Sequence, residues 1–193
     1  MAEVVLYHHV LGLTPGVLAF ADRLRAAGHT VWTPDLFEGR TFATLDDGMA
    51  FAREVGFGTL LARGVAAAQD LSPEVVYAGF SLGVMPAQQL AQTRPGARGA
   101  VLLHACIPVS EFGERWPEGV PVQIHGMDAD PFFVGDDDSD LAAARALVAS
   151  TEGAALFLYA GHGHLFADSS SPDFDPEAAE LLTDRVLAFL ERV

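Results

Sequence analysis

The sequence predicts a single α/β domain spanning residues 1–193, with about six mostly parallel strands flanked by helices. Three observations carry that expectation. Short runs rich in Val, Ile, Leu and Tyr alternate with longer helix-like stretches, the repeated βαβ pattern of a parallel sheet. Several of the runs are apolar without interruption, such as Val75-Val76-Tyr77-Ala78, as strands are when helices cover both faces of a sheet. A length of 193 residues, 50% of them hydrophobic and 19% charged, suits one substantial core and excludes a disordered chain.

In chain order, a strand is expected over 3–8, then a helix over 16–27 that Gly28 stops. A strand over 29–33 and a helix over 46–70 follow, joined by a long loop that holds Phe37 and Phe42. The strand over 74–80 runs almost directly into a helix over 82–93, which Pro95 and Gly96 end. After a strand over 98–104, the stretch 105–119 holds Pro108, Gly113, Pro117 and Gly119 and reads as a loop or short helix. No inserted lid domain is expected there. A strand over 120–125 leads into a second long loop, which carries Phe132 and Phe133; a helix over 140–150, a strand over 154–159 and a helix over 176–193 complete the chain. Ligands of parallel α/β sheets sit outside the carboxyl ends of the strands, so the two long loops are expected beside a pocket that their phenylalanines line.

Composition narrows the partners. The formal net charge of −15 opposes nucleic acid and anionic membrane surfaces. No apolar run reaches the ~18 residues of a membrane span, and Met1-Ala2-Glu3 lacks the basic start of a signal peptide. Cys106, the single cysteine, cannot form an internal disulfide. The expectation is a cytoplasmic protein acting on a small molecule. His8, His9, His162 and His164 invite a metal reading, but neighbours on a strand face opposite sides and cannot easily ligate one ion together. The acidic stretch 136–140 lacks the glycine and terminal glutamate of a calcium loop and reads as solvated surface. No metal and no cofactor are expected.

Chemistry enters at Gly79-Phe80-Ser81-Leu82-Gly83, a G-x-S-x-G pattern lying after one predicted strand and before a predicted helix. Composition alone would produce such a pattern about 0.08 times in a chain of this kind. Flanking glycines allow a sharp strand-to-helix turn that pushes the serine hydroxyl outward. A serine needs a base, and in this arrangement an acid and then a histidine follow in the chain. Asp128 and Asp130 both follow the fifth strand, while His162 and His164 both follow the sixth. Spacing does not choose between the members of each pair.

Pro34-Asp35-Leu36-Phe37, Gly79 to Gly83, His125-Gly126 with Asp130-Pro131-Phe132, and Tyr159-x-Gly161-x-x-His164-x-Phe166 together resemble the dienelactone hydrolase family. The resemblance covers nearly the whole chain. It implies a three-layer α/β-hydrolase fold lacking the first two strands of larger hydrolases, with Ser81 as nucleophile, His164 as base and Asp130 as the acid that orients it. It also implies an oxyanion hole made by the backbone N–H groups of Leu82 and, in the loop after the first strand, Val10.

Three positions depart from the family's best-known pattern. Serine replaces the cysteine nucleophile, His9 stands where a glutamate helps to activate that thiol, and Asp168 stands where an arginine binds the substrate carboxylate. A Ser-His-Asp site needs no such glutamate. An aspartate in place of the arginine would repel an anionic lactone, so the resemblance points to a small neutral ester or lactone cleaved through an acyl-enzyme. Acyl transfer and thioester hydrolysis would use the same residues, and a non-catalytic small-molecule-binding protein of this fold is the competing class.

Overall fold

Alternation along the first strand, β1 (Glu3–Tyr7), divides the interior in two, with Val4 and Leu6 in one core and Val5 and Tyr7 in the other. The computed structural model describes residues 1–135 and 139–193. Within them β1 is joined by β2 (Thr30–Trp32), β3 (Val76–Phe80), β4 (Gly99–Leu103), β5 (Val122–Met127) and β6 (Ala154–Tyr159) in one sheet of order β2-β1-β3-β4-β5-β6. All five pairings are parallel. Most of the acidic run expected as solvated surface, 136–138, lies outside the described residues.

Helices α1 (Pro15–Ala26) and α6 (Pro176–Leu190) cover one face through Val17, Phe20, Leu24, Leu182, Val186 and Phe189. Helices α2 (Leu45–Val55), α3 (Phe57–Ala67), α4 (Val84–Thr93) and α5 (Asp140–Ser150) cover the other. This is the expected three-layer α/β-hydrolase architecture. Thr14, Thr44, Ser139 and Asp175 cap α1, α2, α5 and α6 by accepting a backbone N–H in the first turn. The connection from β4 to β5 holds only a short 3-10 turn, Val109–Glu111. Among the described residues no helix is long and apolar enough to cross a membrane.

Three expectations change. The helix expected over 46–70 is two helices, because Gly56 has φ +89°, a conformation that a right-handed helix cannot continue through. The helix expected from Leu82 begins with a 3-10 turn, Ser81–Gly83, before α4 starts at Val84. The phenylalanines of the two long loops mostly do not line a pocket. Phe37 is fully buried, its ring edge-on to His8 and Phe51 at 4.9 and 5.0 Å, and Phe133 is fully buried against Gly126, where a Cβ would come within 2.6 Å of its ring. Loop phenylalanines close the core here because β1 and β5 end beneath them. Among the described residues of these loops, only Phe132, 59% exposed, remains at the surface as a large apolar group.

The sheet changes direction between β1 and β3: the chain steps outward from β1 to β2, then crosses back to β3 on the other side. Carboxyl-terminal loops diverge at such a point and leave a crevice. The turn after β3 carries Ser81.

Candidate active site

Ser81 has φ +48°, the left-handed region that side chains rarely adopt, at a cost on the order of 1 kcal/mol. Its neighbours explain how the turn closes. A Cβ at Gly79 would overlap the carbonyl of Gly83, and one at Gly83 would lie 2.5 Å from the Tyr7 carbonyl oxygen and 2.8 Å from that of His8. The bare glycines therefore let the turn fold on itself and lie against the end of β1. That close approach sets the segment His8 to Leu13 beside Ser81.

The loop after β6 supplies the histidine. His164 Nε2 lies 2.9 Å from Ser81 Oγ, and His164 Nδ1 lies 2.7 Å from Asp130 Oδ2. Asp130 is fully buried and its second oxygen, Oδ1, accepts the N–H of Phe132 at 2.9 Å, so the carboxylate is held at both ends. The carboxylate accepts from Nδ1–H, which leaves the Nε2 lone pair facing the serine hydroxyl. Asp128 and His162, the alternatives that spacing left open, are exposed instead, and Asp128 accepts the N–H of Gly161.

Val10 and Leu82 are both buried, 3% and 7% exposed. The Val10 carbonyl sits against Gly48 of α2, where a Cβ would overlap it. His8 donates from Nδ1 to the His9 carbonyl at 2.7 Å and accepts the Leu36 N–H at Nε2 at 2.9 Å. His9 turns elsewhere, so the two imidazoles share no ligand. Among the described residues no group of three or more His, Cys, Asp or Glu side chains is placed to hold a metal ion.

Asp168 requires a correction. Rather than facing a substrate, it is fully buried and bonded to His9 Nε2 at 2.6 Å. The two departures from the family pattern, His9 and Asp168, are each other's partners.

Among the neighbours of the line from Asp130 through His164 to Ser81, Phe132 was expected beside the site, and the others were not legible in the sequence. Asp173 Oδ2 accepts the backbone N–H of His164 at 3.2 Å, fixing the histidine from its main chain. Phe132 places its ring 4.8 Å from that of His164. His104, at φ +66° and fully buried beyond the end of β4, lies edge-on to Phe166 at 4.7 Å and 6.1 Å from His164. Neither of its ring nitrogens has a hydrogen-bond partner, and burial, with the nearby histidines, holds it well below the ordinary imidazole range. Burial raises the Asp140 carboxyl to about 6, although the Cys106 N–H and His164 pull it down; Asp130 adds to the rise. His104, Asp140 and Asp173 follow three different strands, β4, β5 and β6, and no local motif announces them.

Solved structures share the fold at low identity. A dienelactone hydrolase-like promiscuous phosphotriesterase from metagenomic libraries superimposes with a TM-score of 0.72 at 18% identity, over 100% of this chain and 86% of its own. A dienelactone hydrolase from Anabaena variabilis gives 0.67 at 17% identity, with coverage of 100% and 86%. A protein from Xanthomonas campestris pv. campestris, assigned to the hydrolases of the α/β superfamily, gives 0.69 at 21% identity, with coverage of 100% and 98%. No curated protein matches the chain. The pattern of one family is matched from residue 1 to residue 193, and the chain belongs to the dienelactone hydrolase family.

Proposed function

We propose that this chain is a serine hydrolase that cleaves a small neutral carboxylic ester or lactone through an acyl-enzyme. Family membership supports hydrolase chemistry. The observation that carries the reading is the unbroken line from Asp130 Oδ2 through His164 to Ser81 Oγ, at 2.7 and 2.9 Å, ending on a strained turn at the sheet's switch point.

Ser81 Oγ attacks the carbonyl carbon while its proton passes to His164 Nε2, and the resulting imidazolium is stabilised by Asp130. The oxyanion is bound by the N–H groups of Leu82 and Val10. Collapse breaks the bond to the leaving oxygen, which takes the proton from His164; in a lactone that oxygen stays tethered to the acyl group. Water then attacks the acyl carbon while giving a proton to His164, and collapse breaks the bond to Ser81 Oγ, which takes that proton from His164 as the acid leaves. Side chains, backbone and water suffice for every step.

Two features favour a neutral, partly apolar substrate. The exposed ring of Phe132 stands over His164, and Asp140, whose carboxyl burial raises to about 6, adds an acidic group near Asp130 and His164. The β4–β5 connection holds only a short 3-10 turn and no lid domain, and Ser81 is half-buried, which suits small substrates. A fluorophosphonate tests the reading: an adduct by mass spectrometry on the wild type, absent from Ser81→Ala, is expected, and a folded wild type that takes no adduct refutes it. Chromogenic esters, lactones and thioesters, with and without alcohol acceptors, would then rank hydrolysis against acyl transfer.

A further inference from the structure

A second buried histidine–aspartate pair lies beside the first, outside the steps just described. His9 Nδ1 accepts the N–H of Leu11 at 3.2 Å, so the ring hydrogen is on Nε2 and is donated to Asp168 Oδ2 at 2.6 Å. That oxygen also accepts the hydroxyl of Thr14 at 2.6 Å. Asp168 Oδ1 accepts from the N–H and the hydroxyl of Ser170, at 2.7 and 2.6 Å. Burial alone would raise this carboxyl, but the bonds from His9, Ser170 and Thr14 more than offset it and hold Asp168 well below the usual carboxylate range. Gly16 makes room for it: a Cβ there would overlap Asp168 Oδ1, while its N–H reaches the Ser170 hydroxyl at 3.1 Å.

The pair joins the segments that the chemistry needs in register. His9 immediately precedes Val10, and its carbonyl and ring accept the N–H groups of Gly12 and Leu11, so it sets the turn that presents the Val10 peptide. Asp168 lies four residues beyond His164 in the same loop, its own N–H bonded to the Leu165 carbonyl. The His9 ring also meets the ring of Phe80, the residue before Ser81, edge-on at 5.9 Å. We propose that His9 and Asp168 are positioning residues, a buried strut that orients the Val10 N–H toward the reaction's oxyanion and locks that loop to the one bearing His164. The inference rests on the Ser81 hydrolase reading and deepens it.

A strut of this kind acts on the charge of the tetrahedral intermediate and leaves ground-state binding almost untouched. His9→Phe removes both bonds, and His9→Gln retains a donor that can reach Asp168. Both are assayed with a p-nitrophenyl ester and with an aryl trifluoromethyl ketone, whose adduct with the serine carries the same oxyanion. Direct loss of one oxyanion donor lowers kcat by roughly 10²- to 10³-fold, so an indirect loss is expected near the lower end, about 10²-fold. For His9→Phe the expected result is that fall in kcat, KM within about threefold, and a comparable weakening of ketone inhibition, with His9→Gln recovering at least part of both. Asp168→Asn, nearly isosteric, serves if His9→Phe does not fold and should show the same split. Folded variants whose kcat and ketone inhibition stay within about twofold of wild type would overturn the proposal, as would a loss confined to KM. A wild type that fails to label at Ser81 would instead sink the hydrolase reading itself.

Discussion

Lowering the pH from 7 to 5 should weaken the fold through histidines held neutral in its interior. His125, on β5, donates from Nε2 to Gln123 Oε1 at 3.2 Å and accepts the Tyr159 hydroxyl at Nδ1 at 2.8 Å. The Arg185 guanidinium lies over the Phe157 and Tyr159 rings that flank it, at 4.5 and 5.0 Å. Burial first, and then the charge of Arg185, push His125 down to about 3, while burial pushes His8 down to about 4, both from 6.5. Between 6.5 and those values the unfolded chain binds protons that the native chain refuses, so stability falls as pH falls. A pH of 5 lies about 1.5 units below the unfolded value of both imidazoles and still above their folded values, so each costs about 2 kcal/mol relative to pH 7. His104 pulls the same way. Asp140, raised from 3.8 to about 6, works in the opposite sense: the native state holds its proton more tightly, which returns about 1 kcal/mol at pH 5. Urea unfolding of the wild type should therefore show a loss of at least about 3 kcal/mol between pH 7 and pH 5. His125→Gln, even if less stable at pH 7, should shrink that difference by about 2 kcal/mol. A pH difference unchanged by the substitution would refute the assignment of the proton uptake to His125.

Asp130→Asn should lower kcat on the order of 10³- to 10⁴-fold without unfolding the chain. With its oxygen kept by the Phe132 N–H, the amide nitrogen would face His164 Nδ1 and favour the tautomer that points a hydrogen at Ser81; full activity in steady-state kinetics would refute that role. His164→Ala should be nearly inactive, down by about 10³-fold or more, and the exposed His162→Ala active within about tenfold, both checked against circular dichroism. Gly83→Ala forces a Cβ against two backbone carbonyls of β1 and its exit, so it should destabilise by at least about 1–3 kcal/mol in urea titrations and slow fluorophosphonate labelling. Phe132→Ala should raise KM for aromatic esters more than for acetates, since it removes the exposed ring over His164 while leaving its own N–H bond to Asp130.

The architecture was legible because a parallel sheet covered on both faces writes itself locally, as apolar runs such as Val75 to Ala78 separated by helices with their own caps and stops. The turn at Ser81 was legible for the same reason, since its glycines answer to the geometry of five consecutive residues. Gly56 marks the limit of that reading. A glycine inside an apolar helical pattern is tolerated or breaks the helix according to its φ, which the surrounding packing decides.

Spacing narrowed the candidate acid and base to Asp128 or Asp130 and to His162 or His164, and the family likeness favoured one of each. Only the tertiary structure showed Asp130 and His164 buried together, with Asp128 and His162 turned to solvent, because loop direction depends on which residues the core draws in, Phe133 and Phe166 among them. The fate of Asp168 is the clearest case. Its sequence position suggested a charge facing the substrate, whereas contact with His9, a residue 159 positions away, makes it an internal hydrogen-bond acceptor. What a charged side chain does depends on which distant donors fold over it, and pairings of that range are set by the packing of the whole sheet, which no local pattern in the chain encodes.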